Sequence, residues 1–191
     1  MSRDLLQVVD TPLDGVRLVE PHVFSDDRGY LYELWNSARW ARSGLPLEFV
    51  QDNVAVSSRG VVRGLHFQYP NPQGKLVSVL HGEIFDVAVD IREGSPTFGR
   101  WTGAALSEQN HRSMFLPPGF AHGFAVLSER AMVLYKFTTL YAPEAQRGIA
   151  WDDPEIGIAW PAGIHPILSE KDQRFPRLRE LSPDSLPGTN R

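Results

Sequence analysis

An all-β sandwich or barrel is the fold class this sequence predicts, and three observations predict it. From residue 49 onward, short runs rich in Val, Leu and aromatic residues succeed one another at near-regular spacing. Gly and Pro punctuate them, at Gly82, Gly94-Ser95-Pro96 and Pro117-Pro118-Gly119. Helical patterning is confined to short pieces such as Ser37 to Ser43, which Gly44 and Pro46 would end. The 191 residues suit a single domain, with a core over roughly 12–176 and a flexible tail at 182–191.

Taken in order, VRLVEPHVF (16–24) and GYLYELW (29–35) read as strands joined by the polar turn Ser25-Asp26-Asp27-Arg28-Gly29. In FVQDNVAVS, Val50, Val54 and Val56 occupy one side and Gln51, Asn53 and Ser57 the other. That is the period-2 signature of a half-buried strand, with one amide-rich face. Further strands are expected at 61–69, 75–81, 83–92, 98–106, 112–116, 122–127 and 131–139. Beyond them Pro143, Pro154, Pro161, Pro166 and Pro176 mark an irregular C-terminal third.

Composition excludes several classes. A net charge of −4 with both signs interspersed offers no basic stripe for nucleic acid and no polybasic membrane anchor. There are no cysteines, so neither disulfides nor thiolate zinc sites can form. The first residues, MSRDLLQVVDT, carry Asp4 and Asp10 and lack a long apolar run, so a cytoplasmic protein is expected.

Chemistry concentrates in Gly60-Val61-Val62-Arg63-Gly64-Leu65-His66-Phe67-Gln68 and the following Lys75, where a guanidinium, an imidazole and an ammonium share an apolar background. This stretch and Pro117-Pro118-Gly119-Phe120-Ala121-His122 resemble the paired motifs of the cupin superfamily, which implies a jelly-roll β-barrel. Metal-binding cupins carry a second His where this chain has Gln68, and no Glu follows. His66 and His122 alone do not make a three- or four-ligand site, so no metal and no cofactor are expected.

A longer ordered set is similar to the dTDP-4-dehydrorhamnose 3,5-epimerase family: Asp27-Arg28-Gly29, Gln51-Asp52-Asn53, GVVRGLHFQ (60–68), Lys75-Leu76-Val77, DVAVDIR (86–92), SPTFG (95–99), PPGFAHGF (117–124), Tyr135-Lys136 and LSEKD (168–172). The resemblance implies an isomerase that inverts C3 and C5 of dTDP-4-dehydro-6-deoxy-D-glucose, giving dTDP-4-dehydro-L-rhamnose. Such chemistry needs a base, an enolate stabiliser and an acid on the opposite face. By resemblance these are His66 with its partner Asp172, then Lys75, then Tyr135. It also implies substrate contacts from Phe24, Arg28, Glu33, Gln51, Asp52, Asn53, Arg63, His122, Tyr141, Gln146 and Lys171. At Gln146 the family is expected to carry Glu.

Read without the resemblance, these residues have plainer roles. Asp172 suits a turn or N-cap, Lys75 a solvated turn, Tyr135 a core aromatic, and Arg28 with Glu33 a surface ion pair. Arg63 and His66 are an odd number of residues apart, so an ideal strand would point them to opposite faces; a bulge at Gly64 would reconcile them. The resemblance further implies a homodimer, with VRLVEPHVF adding to the partner's sheet and Phe24, Arg28 and Glu33 reaching the neighbour's pocket. Rival readings are a 3-epimerase reusing the same groups, a non-catalytic sugar-nucleotide-binding cupin, and a metal-dependent cupin oxygenase.

Overall fold

Two antiparallel sheets face one another across an apolar interior in the computed structural model, which describes residues 5–45 and 48–189. In chain order the strands are β1 (Leu6–Asp10), β2 (Arg17–Pro21), β3 (Val23–Asp26), β4 (Gly29–Tyr32), β5 (Gln51–Ser58), β6 (Val62–Gln68), β7 (Lys75–His81), β8 (Glu83–Asp90), β9 (Trp101–Ser107), β10 (Ser113–Leu116), β11 (Phe120–Val126), β12 (Arg130–Phe137) and β13 (Gln146–Gly148). One sheet has the order β1-β2-β10-β7-β12-β5 and the other β13-β6-β11-β8-β9, while β3 and β4 form a separate ribbon. The all-β jelly-roll expectation matches this architecture.

Alternation within strands sorts side chains into three cores. Val77, Val79, Met114, Leu116 and Val133 of the first sheet meet Ile84, Ala88, Phe120, Phe124 and Val126 of the second in the central one. Leu65, Phe67, Val87, Val89 and Ala121 point out of the second sheet and are covered by Ile149, Ile156, Leu178 and Leu186. The irregular C-terminal third therefore roofs a sheet. Helix α1 (Ser37–Arg42), whose first turn is capped by the Asn36 side chain accepting from Arg39 N, places buried Trp40 against Val19, Leu76 and Phe115 outside the first sheet.

Several expectations are corrected. Strands β1 and β13 carry too short or too mixed a pattern to read from sequence, and the run 16–24 divides at His22 into β2 and β3. Within the run, Arg17–Val19 is paired on one side with β1 and on the other with β10, whereas Val23–Asp26 pairs only with β4. The expected tail is tied down as far as Thr189: Leu186 is buried, Glu93 N donates to Pro187 O at 2.8 Å and Thr189 N to Glu93 O at 3.2 Å. Pro46 and the last two residues of that tail lie outside the described residues.

Strand β5 reverses the usual meaning of its pattern. Val50, Val54 and Val56 are 45%, 57% and 40% exposed, while the Gln51, Asn53 and Ser57 side turns toward the space between the sheets. As the edge of its sheet, β5 thus has a polar inner face and an apolar outer one.

The expected bulge is present. Across β6 and β11, His66 pairs with His122 but Arg63 pairs with Phe124, so Gly64 and Leu65 together oppose the single residue Gly123. Gly64 has φ +120°, and a Cβ there would lie 2.6 Å from both Gly123 Cα and His122 O. Only glycine fits. Gly64→Ala is therefore expected to destabilise the fold by about 1–3 kcal/mol through overpacking and strain. A denaturant titration with an unchanged midpoint would contradict this.

Candidate functional site

The bulge sets Arg63 and His66 on the same wall of a cavity of about 300 Å³ at one open end of the sandwich. Strands β6 and β11 form that wall; β5, β7 and β12 form the other, contributing Asn53, Lys75, Tyr135 and Phe137. Arg63 lies there with its Nε donating to Ser57 Oγ at 3.0 Å.

His66 Nε2 is 2.7 Å from Asp172 Oδ1. The Asp172 carboxyl loses water on burial, which opposes ionisation, but hydrogen bonds from His66, Gly64 N and Ser169 outweigh this and lower its pKa below the usual value. An ionised carboxylate only accepts, so Nε2 carries the proton that faces Asp172, and in the neutral ring Nδ1 is the nitrogen with the lone pair. Asp172 Oδ2 takes the bulge N–H of Gly64 at 3.4 Å, and Asp172 N donates to Ser169 Oγ. The aspartate thus sits at the start of a 3-10 turn, as its sequence context suggests, and also orients a ring from a distant strand.

Lys75 is buried and is no solvated turn lysine. Burial pushes its pKa down to about 8, partly offset by the Asp86 carboxylate, and its Nζ donates to His66 O at 3.2 Å. Asp86 was not singled out from the sequence. It reads as a core strand residue in DVAVDIR, and only the pairing of β8 with β11 sets it beside His122, whose Nε2 lies 2.7 Å from its Oδ1. Burial holds the His122 imidazole below its usual pKa against the pull of Asp86, so the ring is neutral near pH 7. Tyr135 lies 5.9 Å from the His122 ring between centroids. Its hydroxyl pKa is raised, first by burial and then by Asp86, while Arg63 acts the other way. It is a protonated donor at any physiological pH.

Around the rim, Gln51 Nε2 donates to Asn53 Oδ1 at 3.0 Å and Gln51 Oε1 accepts from Tyr141 N at 2.8 Å. Tyr141 Oη donates to Gln146 Oε1 at 2.6 Å, and Lys171 Nζ donates to the same oxygen at 2.7 Å. Gln68 is buried and structural. Its amide donates to Asn71 O and accepts from Ala142 N, which anchors the segment carrying Tyr141. Among the described residues no three His, Cys, Asp or Glu converge as a metal-binding group.

Four predicted contacts are not brought to this cavity within the protomer. Asp52 alternates away from Asn53 and pairs with Lys136 at 2.8 Å. Glu33 accepts from Arg39 Nε at 2.6 Å and from Asn36, beside α1. Phe24 and Arg28 sit on the β3–β4 ribbon, where Arg28 is paired with Asp26. The plainer reading of Arg28 and Glu33 as a surface ion pair takes the form of two separate local pairs, Arg28 with Asp26 and Glu33 with Arg39.

Residues 10–180 match the family model described as dTDP-4-dehydrorhamnose 3,5-epimerase. The chain is 55% identical over 174 residues to the dTDP-4-dehydrorhamnose 3,5-epimerase of Methanothermobacter thermautotrophicus, covering 90% of this chain and 94% of that one. It is 56% identical to that of Pseudomonas aeruginosa, covering 85% and 90%. Its fold is similar to the crystal structure of a dTDP-6-deoxy-D-glucose-3,5-epimerase from Legionella pneumophila in complex with dTDP-4-keto-L-rhamnose. That match has a TM-score of 0.95 at 45% identity, over 97% of this chain and all of that one.

The balance between burial and Asp86 at Lys75 is directly measurable. The Lys75 Cε resonance, assigned by its loss in Lys75→Met, should titrate near pH 8 in the ligand-free protein. In Asp86→Asn the midpoint should move further down, since the one carboxylate opposing burial is neutralised. A midpoint near the usual lysine value, or an upward move in Asp86→Asn, would contradict this account.

Proposed function

Because the chain belongs to the dTDP-4-dehydrorhamnose 3,5-epimerase family, we propose that it inverts C3 and C5 of dTDP-4-dehydro-6-deoxy-D-glucose to give dTDP-4-dehydro-L-rhamnose, for dTDP-L-rhamnose synthesis. The observation that carries this reading is the opposition of His66 and Tyr135. They stand on β6 and β12, strands of facing sheets, and line one cavity with Lys75.

A C–H bond beside the C4 ketone is acidified because the resulting carbanion delocalises onto oxygen. His66 Nδ1 takes that proton, and Asp172 stabilises the imidazolium that forms. Lys75, charged below about pH 8, stabilises the enolate oxygen. Tyr135 then delivers its hydroxyl proton to the opposite face, with Arg63 easing the phenolate that results. Arg63 and Lys171 suit the diphosphate and Tyr141 the nucleobase, while Asn53 and Gln51 supply amide contacts.

We further propose a cytoplasmic homodimer of single-domain protomers. The exposed valine face of edge strand β5, continued by Met132 of β12, supports a self-association surface. The ribbon bearing Phe24 and Arg28, unpaired to either large sheet, supports their serving a neighbour's cavity. No described helix is long and apolar enough to cross a membrane.

Incubation with the 4-keto sugar nucleotide in heavy water, followed by NMR, tests the reaction. Deuterium at both C3 and C5 is expected, whereas label at C3 alone would favour the 3-epimerase. His66→Asn should lose exchange by about 10³-fold or more while retaining binding, the loss typical of an essential base combined with its dyad. Unchanged turnover would remove His66 from the mechanism.

A further inference from the structure

We propose that Gln146 sets the charge selectivity of the cavity rim: it holds Lys171 in place without neutralising it, leaving an ammonium for an anionic phosphate oxygen of a nucleoside diphosphate. The inference deepens the nucleotide-sugar reading of the cavity and rests on it. Gln146 opens β13 and is fixed in register opposite Gln68 of β6, so its backbone is held at the rim. One atom, Oε1, accepts both from Tyr141 Oη at 2.6 Å and from Lys171 Nζ at 2.7 Å.

An ammonium has only donors, so the amide atom facing Lys171 must be oxygen. Gln146 Nε2 is then directed elsewhere, and among the described residues it has no protein partner. It is a second donor at the same rim. The bond to Lys171 is therefore one between a cation and a neutral dipole, which positions the charge but leaves it uncancelled.

Nearby carboxylates do not cancel it either. Asp172, the next residue, is committed to His66 and Gly64 N, and Glu170 pairs with Arg174. Among the described residues no carboxylate lies within 4.0 Å of Lys171 Nζ. The contrast with Arg28 and Lys136 is direct, since each of those faces an aspartate. Arg63, held by the Ser57 hydroxyl, is the comparable cation on the cavity wall.

A glutamate at this position could accept the same two hydrogen bonds at nearly the same size. It would add a full negative charge at ion-pair distance from Lys171, reducing the local charge from +1 to zero and removing the amide donor. At a few ångströms and near-surface dielectric, such a change is sufficient for about a tenfold effect on an anion while a neutral ligand is unaffected.

The test compares thymidine diphosphate with uncharged thymidine by NMR titration, using wild type, Gln146→Glu and Lys171→Met. We expect Gln146→Glu and Lys171→Met each to weaken thymidine diphosphate binding by about tenfold. Thymidine affinity should be unchanged, and the salt dependence of diphosphate binding should be shallower in both variants. Equal weakening of both ligands would indicate distortion of the rim and overturn the proposal, as would unchanged diphosphate affinity in Gln146→Glu. Failure of wild type to bind either ligand would instead overturn the nucleotide-sugar reading.

Discussion

One extra residue in β6 is the constraint on which the site depends. Without the bulge at Gly64, Arg63 and His66 would point to opposite sides of the sheet. With it, both line the cavity, and the displaced Gly64 N–H becomes a donor to Asp172. The same irregularity thus aims the imidazole, its neighbouring guanidinium and the carboxylate that sets its tautomer. Glycine on both strands makes this possible, since a Cβ on Gly123 would lie 2.8 Å from Arg63 O.

A second consequence of the fold is electrostatic. The sandwich buries Lys75, Asp86, His122 and Tyr135 together at its open end, where burial favours the neutral form of each side chain that it shifts. Asp86 opposes burial at Lys75 and reinforces it at Tyr135. The outcome is a lysine poised near neutrality, a neutral histidine and a tyrosine that keeps its proton. The protonation of these three side chains thus follows from one buried carboxylate and the depth of the strands around it.

Much of this was legible in the sequence because its signals are local. Runs broken by Gly and Pro give most strands, Gly64 with the odd spacing of Arg63 and His66 gives the bulge, and the ordered motifs give the family. What was not legible depends on tertiary pairing. Asp86 looks like any strand residue until β8 lies against β11, and β1 and β13 form only because β2 and β6 offer them edges. The valines of β5 carry a core pattern, yet its edge position leaves them outside while the amide side faces the cavity. Asp52, Glu33 and Arg28, which the resemblance implies as substrate contacts, each meet a nearer opposite charge on their own face, ribbon or helix.

In the proposed reaction, protons leave to His66 and return from Tyr135 across one cavity. The most direct measurement is NMR of the 4-keto sugar nucleotide in heavy water with Tyr135→Phe. In that variant His66 is expected still to exchange a sugar proton with solvent while net inversion is lost. Inversion at the wild-type rate would contradict the proposed reaction.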